Sequence, residues 1–513
     1  MNQETDQNFE RSRDRASDGV GRRIDVHVIR EPDVTVMTPR KREICWNYGI
    51  PPRELPFAVS ASHPINLRPG SIILLTGPSG CGKSSMLAAL AEKTKNAIWV
   101  GQTQSRAARP VIDLVAPRKS LATAMEILTV CGLGEPRLWV RQFGDLSDGE
   151  KFRASLACAV GRALCSNASP VIFCDEFTAR LHRRLAKAVA YNLRKLVSRH
   201  RLMLVVASAQ NDIVSDLRPD EMVTLGESEH SAGLKRPAMH DCGGISLQRR
   251  MLIEPGSVRD YQHFRAMHYR SRDGLGFVDK VFLLRESAAG QPLGILVFAH
   301  APLELAMRNL ATGGRFIRNI RRLNRELRIL RRLVMHPDIR GCGLGHWFVR
   351  NTLPQVGVRF VECLAAMGEV NPVFERAGMT RVGPCPMPKG RLALMERLRA
   401  WKLDPFSADF ERKAARLPRV RKLVIETVRA WTGRMHGMMC EKVSGRELGQ
   451  LTQSFRQIIG RPPVYYLWDR EGEFPKRERD VERMAQSRQT PRRDADDEET
   501  RTTREKGRHR PDR

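Results

Sequence analysis

An apolar run that leads directly into a glycine-rich loop constrains the fold of this chain more than any other feature. Residues 71–76 (SIILLT) predict a buried parallel strand, and residues 84–90 (SSMLAAL) predict a helix. The loop between them, 77–84 (GPSGCGKS), satisfies the pattern G-x-x-x-x-G-K-[ST]. Its backbone N–H groups and the helix N-terminus would face a phosphate group. The segment therefore predicts an α/β domain that binds a nucleoside triphosphate.

The loop residues supply contacts to both nucleotide and metal. Lys83 would reach the β- and γ-phosphates, and the Ser84 hydroxyl would ligate Mg²⁺. We therefore predict ATP and Mg²⁺ as cofactors. The predicted ATP-binding residues of this segment are Gly77, Pro78, Ser79, Gly80, Cys81, Gly82, Lys83, Ser84 and Ser85.

A second apolar run ends in two acidic residues. Residues 170–174 (PVIFC) directly precede Asp175 and Glu176, and ligands of open α/β sheets bind outside the carboxyl ends of the strands. Asp175 is predicted to hold the Mg²⁺ through a water molecule. Glu176 is predicted to be catalytic, because its carboxylate would polarise the attacking water.

A short polar segment, 146–150 (LSDGE), lies between these two motifs and precedes a predicted helix at 151–164. Ser147 with Glu150 three residues later also satisfies the capping box of an ordinary helix. With its two flanking motifs, the segment resembles the L-S-G-G-Q signature of the ABC ATPase family, over about residues 60 to 230. The resemblance implies that Ser147 and Gly149 of one protomer cap the γ-phosphate held by another, and hence an ATP-dependent homodimer.

The chain departs from the ABC pattern at three places. His182 occupies the position of the D-loop aspartate, and Gln210 is the predicted catalytic stand-in for the missing switch histidine. The stretch between the phosphate loop and the signature is short, which implies a small helical subdomain. Gln102, or alternatively Gln104, would be the Q-loop glutamine that contacts the nucleotide site. The resemblance is to soluble ABC proteins rather than to transporters.

A second glycine-rich loop, 340–345 (RGCGLG), follows a predicted strand at 328–335 and opens a predicted helix at 345–350. Glycines at its alternate positions would let a pyrophosphate approach the backbone closely. The dinucleotide fingerprint G-x-G-x-x-G is rejected, because its third glycine is replaced by His346 or Phe348.

The run 333–345 resembles motif A of the GNAT acetyltransferases, and 371–379 resembles their later N…F-x-x-x-G-F segment. The resemblance covers about residues 245 to 390 and implies an acyl-CoA cofactor such as acetyl-CoA. Many family members use a tyrosine acid where this chain has Phe374, and the general base stays open among Glu326, His336, Glu362 and Glu375. The residues predicted to bind acyl-CoA are Leu333, Val334, Met335, Arg340, Gly341, Cys342, Gly343, Leu344, Gly345 and Asn371.

The formal net charge of +30 predicts a polyanionic partner, with DNA and RNA both open. Arginines crowd the approach to the second loop at spacings of three or four, which would place several on one helical face. Residues 419–434 add a second basic helix. The alternative is a solvated face paired with acids. The clustered arginines are Arg315, Arg318, Arg321, Arg322, Arg325, Arg328, Arg331 and Arg332.

Five segments follow from composition and motif positions. The fold class is α/β: a P-loop ABC-type ATPase domain, a GNAT-like α+β domain, a helical C-terminal segment and disordered tails. The 11 cysteines show no paired spacing, so neither disulfides nor a metal site is predicted. A polar first segment and the lack of a long apolar run predict a cytoplasmic protein without membrane contact. The predicted segments are 1–35 (disordered leader), 36–235 (ATPase), 245–400 (GNAT-like), 401–470 (basic helical) and 471–513 (charged tail).

Three functions fit these features. The first is an ABC-type ATPase coupled to an acyl-CoA-dependent N-acyltransferase that acts on nucleic acid or on a protein bound to it. The second is modification of a DNA base, because His268-Tyr269 and Arg308-Asn309 faintly resemble phage Mom-type enzymes. The third is an ATP-dependent nucleic-acid clamp whose GNAT-like part binds without catalysis.

Overall fold

Two compact units make up the chain in the computed structural model. The described residues of Met1–Val297 and Arg332–Thr352 form the first unit, and those of Phe298–Arg331 and Leu353–Arg513 form the second. The predicted segment boundaries stay predictions. The described residues are 22–25, 27–30, 36–51, 57–60, 65–101, 108–225, 234–235, 245–268, 274–287, 290–386, 390–407, 409–432 and 445–474.

In its described residues up to 235, the first unit contains ten strands, six of which form one α/β sheet. Its strands up to residue 235 are β1 (Arg22–Ile24), β2 (His27–Arg30), β3 (Phe57–Ser60), β4 (Ile65–Leu67), β5 (Ile72–Thr76), β6 (Ala97–Trp99), β7 (Val171–Cys174), β8 (Met203–Ser208), β9 (Glu221–Thr224) and β10 (Leu234–Lys235). The helices between them are α1 (Pro39–Tyr48), α2 (Lys83–Glu92), α3 (Val111–Leu114), α4 (Leu121–Val130), α5 (Pro136–Trp139), α6 (Asp148–Leu164), α7 (Arg183–His200) and α8 (Val214–Leu217).

This sheet has six strands in the order β10-β9-β5-β8-β7-β6. Strand β5 is parallel to both of its neighbours, β8 and β9, and β7 is parallel to β8 and β6. Alternate residues of β5 enter two separate cores: Ile72 and Leu74 pack into one, and Ile73 and Leu75 into the other. A strand buried on both faces needs apolar residues at successive positions, which explains the apolar run.

Strands β1 and β4 form one two-stranded sheet and β2 and β3 another, while the strands after residue 250 form a seven-stranded sheet in the order β11-β12-β13-β14-β15-β17-β16. Its strands are β11 (Leu252–Pro255), β12 (Val278–Arg285), β13 (Pro292–Ala299), β14 (Leu327–Met335), β15 (Phe360–Ala365), β16 (Thr380–Pro384) and β17 (Val464–Asp469). The associated helices are α9 (Tyr261–Phe264), α10 (Ala306–Ala311), α11 (Ile320–Glu326), α12 (Leu344–Thr352), α13 (Val373–Arg376), α14 (Arg391–Ala400), α15 (Phe410–Arg416), α16 (Pro418–Thr432) and α17 (Gly445–Ile459).

In the second unit, the start of β14 pairs in parallel with β15, and β17 pairs antiparallel with both β15 and β16. Helices α14 to α17 lie between β16 and β17 in the chain, and they share an apolar core that includes Phe410, Val424 and Phe455. The predicted helical segment 401–470 therefore contains a strand as well as helices. Strand β17 follows the helices in the chain. Its first four residues, 464–467 (VYYL), are buried.

No helix in the described ranges is long and apolar enough to cross a lipid bilayer.

Candidate nucleotide site

The first glycine loop has the strand–loop–helix arrangement that the sequence predicts, with β5 before it and α2 after it. Gly77, Gly80 and Gly82 all have positive φ angles, which favour glycine. A Cβ at Gly77 would collide with the backbone carbonyl oxygen of Leu225 and lie 2.8 Å from the Cys81 sulfur. The loop conformation therefore requires the glycines that define the motif.

Lys83, the first residue of α2, folds back over the loop. Its Nζ donates to the carbonyl oxygens of Gly77 at 2.9 Å and Pro78 at 2.5 Å. Ser79, Gly80 and Ser84 are exposed. Nζ also lies 3.8 Å from the Cys81 sulfur, and an ammonium group held by these uncharged loop groups can turn toward a phosphate without breaking an ion pair. These residues fit the triphosphate and the Mg²⁺ ligand expected of them.

The acidic strand end lies at the same edge of the sheet as the loop. Strand β8 separates β7 from β5, so the carboxyl ends of β5 and β7 are about 10 Å apart. Asp175 Oδ1 accepts the Glu176 N–H at 2.8 Å, and Glu176 is exposed with a φ of 47°. Since this turn uses only Oδ1, the other carboxylate oxygen of Asp175 can face a hydrated cation.

The signature segment begins α6. The Ser147 N–H donates to the Glu150 carboxylate at 2.9 Å, which is the acidic half of a capping box. Ser147 and Asp148 are nevertheless exposed, and a Cβ at Gly149 would lie 3.3 Å from the Arg180 carbonyl oxygen. The segment therefore caps its own helix while Ser147 stays exposed at the surface.

Gln210 follows the end of β8, whose last residue, Ser208, pairs with Thr76 of β5. Its side-chain oxygen accepts a hydrogen bond from Arg183, which also donates through Nε to Asp212 Oδ2 at 2.9 Å. Sequence reasoning singled out Gln210 but missed Arg183, although Arg183 directly follows the unusual His182. Gln102 and Gln104 lie outside the described residues.

Comparison with known proteins assigns this part of the chain. Residues 63–179 match the family model of the ABC transporter. No curated protein matches the chain. The chain therefore carries an ATP-binding domain of the ABC type, and the match ends before the second glycine loop.

Several solved structures, among them ATP-binding cassettes, are similar to the chain. A dimeric post-hydrolysis state of an ATP-binding cassette bound to ADP and Pi shares 19% identity over 33% of this chain and 88% of that chain, with a TM-score of 0.27. The RNase-L Inhibitor shares 19% identity over 41% of this chain and 38% of that chain, with a TM-score of 0.30. A bacterial Atm1-family exporter with ATP bound shares 19% over 34% of each, with a TM-score of 0.24. The assignment rests on the family match and the site geometry, since these scores are low.

The second glycine loop also lies between a strand and a helix, β14 and α12, as its sequence predicts. Its arginine is engaged within the first unit. The Arg340 guanidinium donates to the carbonyl oxygens of Met335, Gly134 and Met267 at 3.0, 3.0 and 2.9 Å. Arg340 therefore fixes the loop through three backbone contacts.

One side of this loop packs against helices of the ATPase sheet. A Cβ at Gly341 would lie 3.1 Å from Thr129 of α4 and 3.2 Å from the Asn192 amide nitrogen of α7. Asn192 is buried, and that nitrogen has no hydrogen-bond partner among the described residues. Close packing explains the glycine at 341 without a ligand.

The other predicted acyl-CoA residues differ in their exposure. The side chains of Val334, Cys342 and Leu344 are buried, and burial raises the pKa of the Cys342 thiol to about 12. Gly343 has a φ of 88° and only His346 near its Cβ position. Asn371 is exposed and belongs to the second unit. A ligand at this loop would therefore contact backbone groups more than side chains.

Glu362 is held in a buried ion pair in the second unit. Arg308 donates to its two carboxylate oxygens at 2.9 and 2.6 Å, and Tyr465 donates to it at 2.8 Å. All three side chains are fully buried. Burial, followed by the charge of Glu362, raises the pKa of Tyr465. A carboxylate with these partners is not a free general base.

Glu326 is likewise engaged. Arg315, Arg322 and Arg325 all donate to its carboxylate. Burial acts to raise the pKa of Glu326, but these hydrogen bonds together outweigh it, so the pKa is lowered. Three of the arginines proposed to contact nucleic acid therefore already share one acid.

Glu375 differs from the other carboxylates. Tyr466 of β17 donates to its Oε1 at 2.7 Å, while its Oε2 is buried without a partner among the described residues. The Tyr466 ring lies 5.4 Å from that of Phe374. Burial raises the pKa of Tyr466. The chain thus brings a tyrosine beside Phe374 from a distant strand, which sequence reasoning did not detect.

Proposed function

We propose that this protein hydrolyses ATP at a composite site formed by two copies of the chain. The observation that carries the proposal is that the phosphate loop and the two acids that follow β7 lie at one edge of the same six-stranded sheet. One chain has one phosphate loop and one signature segment, so a two-fold pair would complete two equivalent sites.

The residues divide the chemistry among them. Loop N–H groups and Lys83 would bind the β- and γ-phosphates, and Ser84 and Asp175 would hold Mg²⁺, which supplies a positive charge to the phosphate oxygens. Glu176 would orient and deprotonate the attacking water. Ser147 and Gly149 of the second copy would contact the γ-phosphate across the pair.

Nucleotide titration tests the phosphate loop directly. Lys83→Ala should lose ATP binding and phosphate release while keeping the thermal midpoint of the native protein, because the hydrogen bonds of the Lys83 ammonium go to uncharged groups of its own loop. Lys93→Ala is a matched control, since Lys93 donates to the Asp25 carbonyl instead. Equal ATP affinity in Lys83→Ala and native protein would contradict the assignment.

A second proposed activity is acyl transfer from an acyl-CoA at the loop 340–345. The supporting observation is the strand–loop–helix order of β14 and α12 with positive φ at Gly341 and Gly343. Calorimetry with acetyl-CoA tests it: Gly343→Trp should abolish binding by filling the space beside the backbone. Identical binding heats for the native protein and Gly343→Trp would contradict coenzyme binding at this loop.

We further propose a nucleic-acid acceptor or partner, supported by the net charge of +30. Arg318 and Arg321 are exposed near α11. Reversing both charges should flatten the salt dependence of DNA or RNA binding, by about 0.9 in log–log slope for each duplex phosphate that is no longer neutralised. The base-modification alternative is less favoured, because the buried Arg308 is already bound by Glu362 and by the carbonyl oxygens of Pro302 and Leu303.

A further inference from the structure

We propose that Arg183 is a positioning residue that turns Gln210 into a hydrogen-bond donor toward the terminal phosphate of ATP. The inference rests on the proposed ATP hydrolysis. It explains how a neutral amide can act where the ABC pattern places a histidine.

Gln210 is close to the phosphate loop through strand pairing. Ser208 lies opposite Thr76, and Gly77 opens the loop at the next residue. The Thr76 hydroxyl donates to Asn211 Oδ1 at 2.6 Å, which ties the segment after β8 to the end of β5. Neighbouring strands are about 4.8 Å apart, so residue 210 lies close to the loop that would hold the phosphates.

The partner of Gln210 fixes the orientation of its amide. Arginine carries only donors, so the Gln210 atom that faces Arg183 is the oxygen Oε1. The other end of the amide then carries two N–H groups that are directed away from Arg183. An untethered glutamine could present either end to the phosphate, and its oxygen would repel the phosphate charge.

Arg183 is itself held from the opposite side. Its Nε and a terminal nitrogen donate to the two carboxylate oxygens of Asp212. This two-point contact fixes the plane of the guanidinium. Arg183 and Asp212 are 37% and 41% exposed, so their ion pair contributes little to stability. Its consequence is the orientation of Gln210.

The test compares steady-state phosphate release among variants of the full-length protein. Arg183→Met removes the donors but keeps a long side chain, and it should lower kcat about ten- to a hundredfold, which is the effect of one hydrogen bond to a charged group. The KM for ATP should change less than about twofold, because loop binding is retained. Arg183→Lys, which keeps the charge without the fork, should have a kcat between those of the native protein and Arg183→Met.

Rescue separates positioning from a merely structural role. An imidazole donates without help from residue 183, so Gln210→His should restore most of the lost kcat in the Arg183→Met protein. Gln210→Glu should lose activity, because a carboxylate has no donor. Arg184→Ala is the matched control: it removes a neighbouring ion pair, with Glu286, and should leave kcat unchanged.

The possible outcomes distinguish the role of Arg183 from ATP hydrolysis itself. Native kcat in Arg183→Met, or a double variant no faster than Arg183→Met, overturns this inference and leaves ATP hydrolysis intact. A native protein that binds ATP but releases no phosphate overturns both the inference and the proposed hydrolysis. Thermal midpoints and affinity for a fluorescent ATP analogue, measured on every variant, identify loss of folding. If Arg183→Met does not fold, the comparison of Arg183→Lys with its Gln210→His partner decides the question.

Discussion

The guanidinium of Arg340 donates to the backbone carbonyl oxygen of Gly134 at 3.0 Å. This hydrogen bond joins the second glycine loop to the turn that follows α4 of the ATPase sheet, and both lie in the first compact unit. A Cβ at Gly134 would lie 2.8 Å from the Cβ of Arg340. The second glycine loop is therefore a packing element of the ATPase region.

The packing of Gly341 predicts a stability difference between two glycines. Gly341→Ala would adopt an unfavourable φ of 85° and press on Thr129, whereas Gly378→Ala would meet the same backbone strain at a φ of 92° in open space. Strain costs about 1–2 kcal/mol at each, and overpacking adds roughly 1–3 kcal/mol at 341 alone. Urea unfolding should show the larger loss of stability for Gly341→Ala. Equal losses would mean that Thr129 moves aside without an energetic cost.

Assembly should depend on nucleotide. Glu176→Gln should slow hydrolysis while Asp175 still holds Mg²⁺, so Mg·ATP should trap a dimer that light scattering detects. Ligand bound only by the closed pair stabilises that pair. Adding Ser147→Arg should prevent the dimer, because an exposed serine is replaced by a bulky cation. A monomer under all conditions would contradict ATP-dependent dimerisation and would mean that residues 146–150 serve only as a helix cap.

The buried pair of Arg308 and Glu362 predicts a large effect of a conservative change. Glu362→Gln leaves the guanidinium charge buried without a counter-charge, which should cost about 3–5 kcal/mol of unfolding free energy. Glu369→Gln is the control. The side chains of Arg381 and Glu369 are 35% and 38% exposed, so their ion pair should stabilise the fold by about 1 kcal/mol or less. Denaturant unfolding measures both, and similar costs would show that water reaches Glu362.

The protein should lose stability on mild acidification through His336. Burial lowers the pKa of His336 below its usual 6.5, and Arg184, Arg340 and His263 act in the same direction against Asp338. The unfolded chain therefore binds this proton at higher pH than the folded chain. The free energy of unfolding should fall as the pH drops through and below 6.5. His336→Gln should show a smaller loss of thermal midpoint between pH 7.5 and 5.5, and an unchanged loss would assign the effect to other groups.

Local segments of this fold could be predicted because their own residues specify them. The strand at 72–76 and the helices that begin at Lys83 and Asp148 start within three residues of the predicted positions 71, 84 and 151. Apolar patterns, glycines with positive φ and a capping residue specify them. The phosphate loop could be located for the same reason. Its hydrogen bonds and dihedral angles involve residues within a few positions of one another.

Partners that lie far apart in the chain could not be predicted. Arg308 and Glu362 are both recognisable as charges, but only the sheet brings them to 2.6 Å. Tyr466 reaches Glu375 because β17 follows four helices and then pairs with β15 and β16. Nothing in the local pattern of either residue indicates the other.

The sequence by itself determined that this chain contains a phosphate loop, an acidic strand end and a signature segment, since each is encoded within a few neighbouring residues. Only the tertiary structure decided that Arg183 faces Gln210 and that Gly341 packs against Thr129. The physical reason is that backbone conformation depends on local residues, whereas side-chain partners depend on how strands are ordered and how helices pack on them.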